Sequence, residues 1–146
     1  MHLTYKGDYA LKAVLDLAQH YDQGLVTIHA IAERIDAPIK FMEQILLDLK
    51  RGGFVESRRG RIGGYLLTKA PSQISLGEVV RFIDGPVEPI ACADSNYKDC
   101  KDTDYCVFRK TWQEVAKSIS GIIDNINFKD LAEQAQNQNQ ALVYQI

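Results

Sequence analysis

Apolar residues recur along the chain in blocks whose period changes from helical to alternating and back. Residues 8–20 carry Tyr9, Leu11, Val14, Leu15, Leu17 and Ala18 in a broad 3.6-residue stripe, which predicts a helix of about a dozen residues that Gly24 ends. Thr27 suits the N-cap of a short second helix through Ile35, with Ile28, Ile31, Ala32 and Ile35 on one face. Asp36-Ala37-Pro38 reads as a stop followed by a start, because proline is tolerated in the first turn of a helix, where its missing N–H costs nothing. A third helix then runs to about Arg51, burying Phe41, Met42, Ile45, Leu46 and Leu49, and closes at Gly52-Gly53.

Two short β-prone runs follow, 54–57 and 65–68, around the glycine-rich stretch "RRGRIGG". Three short helices, the second and third separated by only a few residues, and then a hairpin with a basic tip make a winged helix-turn-helix. Ser75 caps a further helix from Leu76 to about Ile83, stopped by Gly85-Pro86. The segment after it is polar and aperiodic, a loop. From Val107 to Ile126 the pattern becomes strict: Phe108, Trp112, Val115, Ile119, Ile122 and Ile126 follow at spacings of 4, 3, 4, 3 and 4. That is the seam of a helix lying along another helix, on its own domain or on a second copy. The small size of the chain before it favours a long dimerisation helix. The tail from Asp130, with "QAQNQNQ", is polar and is expected to fray or to end in disorder. The expected fold is mainly α with a small β-hairpin wing: a winged helix-turn-helix DNA-binding domain (1–71), a linking helix and cysteine loop (72–106), and a dimerisation helix with a C-terminal tail (107–146).

Composition changes this picture only at two points. The 146 residues, 46% hydrophobic and 25% charged, suit a globular chain with a real core. Neither a bilayer-spanning apolar run nor a signal-peptide pattern is visible, so a cytoplasmic location is expected. The net charge of −2 argues against a nucleic-acid partner until it is divided. Residues 1–71 hold 10 basic against 8 acidic side chains (+2), and the remainder 7 against 11 (−4). Arg58, Arg59 and Arg61 concentrate the basic charge at the wing, where a local patch suffices for phosphate contact or for a narrow minor groove. On the third helix the outward residues are Lys40, Glu43, Gln44 and Ile39. Glutamine can pair with adenine, glutamate can accept from cytosine, and lysine can reach guanine or phosphate. No nucleophile–base pair or paired carboxylates are visible, so no enzymatic activity is expected.

The second point is the cysteines. All three, Cys92, Cys100 and Cys106, fall in the loop "CADSNYKDCKDTDYC". Their C-x7-C-x5-C spacing lacks the tight knuckles of structural zinc, and a reduced compartment disfavours a disulfide. Three thiolates on a flexible loop can wrap an iron–sulfur cluster, one ligand short of a full set. The alternatives are thiols that sense oxidants directly and incidental loop thiols.

In combination, "LTYKGDYALKAVLDLA", "FMEQILLDLKRGGFVESRRGRIGGYLLTK", "ISLGEVVRFIDG" and the three cysteines after them resemble the Rrf-type family of bacterial transcription regulators, across about residues 1–130. The resemblance to its iron–sulfur members, IscR-like and NsrR-like, implies a homodimer on a palindromic operator in double-stranded DNA. It implies regulation by redox state, nitric oxide or iron–sulfur status through a two-iron or four-iron cluster on Cys92, Cys100 and Cys106. A cluster-free regulator that senses oxidants by its thiols or binds a small metabolite is the alternative. The first inter-cysteine gap is longer here than in the close members. Where the IscR-like pattern has a histidine three residues after the third cysteine, this chain has Arg109, which is no ordinary ligand. Asp8 matches the acidic fourth ligand that NsrR-like members take from the partner subunit. Its other reading is an acidic residue placed to favour the helix dipole.

Overall fold

The computed structural model describes residues 1–145. Its elements are α1 (Tyr5–Gln19), α2 (Ile28–Ile35), α3 (Ile39–Arg51), β1 (Val55–Arg58), β2 (Gly64–Leu67), α4 (Leu76–Asp84), α5 (Val107–Ile123) and α6 (Phe128–Tyr144). The expected mainly helical winged helix-turn-helix is present. Helix α1 begins three residues before the apolar stripe because the Thr4 hydroxyl accepts the Gly7 N–H (3.0 Å) and caps it. Thr27 caps α2 as expected, through the Ala30 N–H. Asp36 takes a left-handed conformation (φ 56°) to close α2, and Pro38 is the N-cap of α3 rather than a residue inside its first turn.

Met42, Ile45, Leu46 and Leu49 are fully buried, so one face of α3 is committed to the core and the opposite face is left to solvent. They pack with Ala10, Val14 and Leu17 of α1, with Ile31 of α2 and with Val55 and Leu67 of the hairpin. Strands β1 and β2 pair antiparallel, from Val55 opposite Leu67 to Arg58 opposite Gly64. A third segment joins them: the Val26 N–H donates to the Tyr65 carbonyl (2.9 Å), and the Tyr65 N–H donates back (2.8 Å). Gly64 permits that approach, since a Cβ there would lie 2.7 Å from the Val26 carbonyl oxygen. The wing is thereby tied to the chain entering α2. Ser75 and Glu78 close a full capping box at the start of α4.

Two expectations at the C-terminal end need correction. The periodic helix stops at Ile123, not Ile126, because the chain turns through Asp124 and Asn125, and the Ile126 carbonyl accepts from the Leu76 N–H (2.8 Å). The tail expected to fray is helix α6, packed along α1. Asn127 caps it by accepting the Asp130 N–H (3.0 Å), and Phe128 inserts fully into the main core. Alanine, glutamine and glutamate are good helix formers. Once Phe128, Leu131 and Ala132 find the surface of α1, these few apolar residues are enough to hold an otherwise polar helix.

Candidate nucleic-acid interface and cysteine loop

Lys40, Glu43 and Gln44 are all exposed on the face of α3 opposite its buried residues, and Ile39 stands 38% exposed at its start. These side chains are thus free for a groove. Gln44 is not wholly idle: its Nε2 donates to Asp48 Oδ1 one turn along the helix (3.3 Å). Asp48 is held in turn by Lys6 of α1, whose Nζ lies 2.6 Å from Oδ2, and by Arg51 at 3.4 Å from Oδ1. The hydrogen bond with Lys6, helped by Gln44 and Arg51, keeps the Asp48 carboxyl below the usual carboxylate range. An edge-to-face contact of Tyr9 with Phe41 (centroids 5.5 Å apart) further fixes α3 against α1.

The wing projects beside this face. Arg58, Arg59 and Arg61 are exposed, with Ile62 at the tip 85% exposed. They are not equivalent. Arg58 pairs with Glu56 at 3.2 Å, whereas Arg59 and Arg61 make no ion pair among the described residues. Lys50 Nζ donates to Ser57 Oγ (2.7 Å), linking the end of α3 to β1. Helix α3 and the wing are thereby joined at one polar contact.

A half-buried ion pair that the sequence reading missed supports α2. Asp16, only 5% exposed on α1, receives Arg34 Nε (2.7 Å) and NH2 (2.8 Å) in a two-pronged bond. This hydrogen bond with Asp16 raises the Arg34 pKa above its ordinary value. The available signal was an acidic residue between Leu15 and Leu17 in the most apolar stretch of α1.

The cysteine loop lies between α4 and α5. Cys92 sits in a single 3-10 turn (Ala91–Ala93), Cys106 is the N-cap of α5, and Cys100 is exposed between them. All three are free thiols. Among the described residues, no three of the His, Cys, Asp and Glu side chains gather closely enough to hold a metal ion. The donor chemistry suits a soft centre, but one chain does not bring a closed set of ligands together. Asp8 is in the first turn of α1, paired with Lys12 at 2.6 Å. The Lys12 pKa is raised by its hydrogen bond to Asp8. Asp94 also has a local task, accepting the Asn96 N–H (2.8 Å). Arg109, which stands where the IscR-like pattern has a histidine, organises the loop instead. Its Nε donates to the Cys92 carbonyl (2.9 Å), NH1 to that of Thr103 (3.4 Å) and NH2 to that of Asp94 (3.5 Å).

On α5, Ala116 and Ile123 are buried, the latter against Val80 and Val87. The seam faces outward: Phe108 is 65% exposed, Trp112 39% and Ile122 63%. Ile119 is the exception, partly buried against its own domain. No helix is long and apolar enough to cross a membrane among the described residues.

Comparison with known proteins places these features in context. The family model Rrf2, an iron-dependent transcriptional regulator, matches residues 3–134. The chain is 44% identical over 136 residues to an rrf2-like HTH-type transcriptional regulator of Rhodobacter capsulatus, covering 88% of this chain and 91% of that protein. It is 37% identical over 143 residues to the HTH-type transcriptional regulator IscR of Serratia proteamaculans, covering 98% and 84%. Among solved structures, the global cysteine regulator CymR of B. subtilis superposes with a TM-score of 0.77 at 26% identity, over 92% of this chain and 98% of that one. IscR of T. potens superposes with a TM-score of 0.74 at 32% identity, over 92% and 88%.

Proposed function

The chain belongs to the Rrf2 family of transcriptional regulators, and we propose that it acts as a cytoplasmic homodimer on palindromic DNA, tuned by the chemistry of its three-cysteine loop. The relatives are named as regulators and the family is not enzymatic, in line with the absence of any expected catalytic set. The observation that carries the DNA-binding assignment is the joint exposure of Lys40, Glu43 and Gln44 on α3 beside the unpaired Arg59 and Arg61 of the wing. Lys40, Glu43 and Gln44 read base edges in the major groove. The arginines hold the backbone or enter the adjacent minor groove. Two copies joined along the outward seam of α5 present two recognition helices to successive major grooves, about 34 Å apart.

Cys92, Cys100 and Cys106 would supply three thiolate ligands to an iron–sulfur cluster, and Asp8 of a second copy a hard fourth ligand. Bound there, the cluster would contribute a redox-sensitive, oxygen- and nitric-oxide-sensitive centre. What the chain itself contributes is the loop: Arg109 pins its backbone, and Cys106, at the N-cap of α5, donates its N–H to the Asp102 carbonyl (2.8 Å) beside the seam. Anaerobic reconstitution with iron and sulfide tests this. Visible absorbance lost in Cys100→Ala and made more air-labile in Asp8→Ala is the expected result. A persistent cluster in Asp8→Ala moves the fourth ligand elsewhere.

The exposure of Cys100 and the separation of the three thiols favour a second reading, in which the cysteines sense oxidants directly without a cluster. Colourless protein after reconstitution, with DNA affinity changed by mild oxidation and restored by thiols, selects that reading.

A further inference from the structure

Asp48 has no place in the expected interface, yet it is a polar position of α3 that is held from another element, by Lys6 of α1. One carboxylate oxygen, Oδ2, is sealed from solvent and in contact with Lys6 Nζ of α1 at 2.6 Å. The other, Oδ1, faces along the helix toward Gln44 and Arg51. Lys6 therefore decides which oxygen is buried and which is offered to Gln44.

A carboxylate can only accept, so Gln44 must turn its amide nitrogen, not its oxygen, toward Asp48. The hydrogen bond between Nε2 and Oδ1 (3.3 Å) is the geometry that follows. The orientation has a chemical consequence. One Nε2 proton goes to Asp48, which leaves the second N–H and Oε1 free. Adenine presents an N7 acceptor beside an N6 donor in the major groove, and a glutamine pairs with both only when one N–H and its oxygen face the base together. An unrestrained amide flips between two orientations of nearly equal energy and loses that distinction.

We infer that Asp48, gripped by Lys6, is a positioning residue that fixes the amide of Gln44 for bidentate reading of adenine and so sets base preference at one operator position. This inference rests on the DNA-binding role proposed above. The negative charge is compatible with a helix that approaches phosphates, because Lys6 and Arg51 flank the carboxylate and offset its repulsion.

The test uses the full-length protein and a duplex library with a randomised core, the bound fraction being sequenced for the parent, Gln44→Ala, Asp48→Ala and the double variant. The parent should enrich adenine at the position that Gln44→Ala relaxes. Asp48→Ala should lower that enrichment by about twofold to fivefold, leave the other positions intact, and add nothing in the Gln44→Ala background. Asp48→Asn, whose amide can exchange its own donor and acceptor, should act in the same direction without emptying the site. An unchanged profile for Asp48→Ala, an equal loss at all positions, or additivity with Gln44→Ala overturns the inference while leaving DNA binding in place. Unfolding of both Asp48 variants, read by circular dichroism, makes the residue structural and overturns it too. If the parent enriches no sequence at all, the DNA-binding role itself fails and the inference falls with it.

Discussion

Arg109 and Cys92, seventeen residues apart in sequence, are joined by a hydrogen bond from the arginine Nε to the cysteine carbonyl oxygen at 2.9 Å. The same guanidinium reaches the Thr103 and Asp94 carbonyls, so one side chain at the start of α5 holds the backbone on both sides of Cys100. A planar fork with several fixed donors can do this, whereas a lysine ammonium concentrates its charge at a point. Arg109→Ala should free the loop and speed alkylation of Cys92 by a small maleimide, followed by mass spectrometry of the labelled peptide. Arg109→Lys should restore the parent's rate only in part. Equal labelling of Cys92 in all three proteins would show that the fork does not restrain the loop.

The wing arginines divide by their partners. Arg59 and Arg61 make no ion pair among the described residues, so on the proposed DNA-binding reading they meet phosphates directly, while Arg58 must first leave Glu56. Arg59→Ala should reduce the slope of log K against log[salt] by about 0.9 and weaken binding at every sequence alike. Arg58→Ala should change the slope less. Fluorescence anisotropy on one duplex over a salt series separates the two, and equal slopes for both variants contradict the division.

For the α5 seam, exposure identifies the informative substitutions. Ile122 is 63% exposed, so Ile122→Asp should leave the subunit folded and yield a monomer by sedimentation, with tight binding to a palindrome lost. Ile119 also packs on its own domain, and Ile119→Asp should lower thermal stability as well, since it places a charge against the apolar cluster of Val80, Val87 and Ile123. A dimeric Ile122→Asp protein would mean that subunits join through another surface.

The Asp16–Arg34 pair braces α2 against α1. Arg34→Ala strands a carboxylate only 5% exposed and should cost about 1–3 kcal/mol in urea unfolding, with Arg34 itself partly solvated and so toward the lower end. Replacing both residues, Asp16→Leu with Arg34→Met, should recover most of the loss, because an apolar pair of similar volume carries no desolvation penalty. A double variant no more stable than Arg34→Ala would indicate that the pair's geometry, and not the stranded charge, sets the cost.

Local order was legible in the sequence wherever it is local. The stripes of α1, α2 and α3, the caps at Thr27 and Ser75, and the glycine-rich turn of the wing arise from interactions within a few residues, and those are written in adjacent letters. The exposed face of α3 followed from the same reasoning, since burying Met42, Ile45, Leu46 and Leu49 leaves Lys40, Glu43 and Gln44 no other side. The outward seam of α5 was legible as a pattern but not as an orientation. Periodicity places Phe108 and Ile122 on one face and cannot say whether that face or the one bearing Ala116 and Ile123 meets its own domain. Tertiary structure alone decided the rest. Helix α6 exists because Phe128 finds the core, and Asp16 meets Arg34, Lys6 meets Asp48 and Arg109 meets Cys92 across 18, 42 and 17 residues of chain. Such pairs depend on how whole helices pack, and a charged side chain on a periodic helix reads as solvent-facing until its neighbour's position is known.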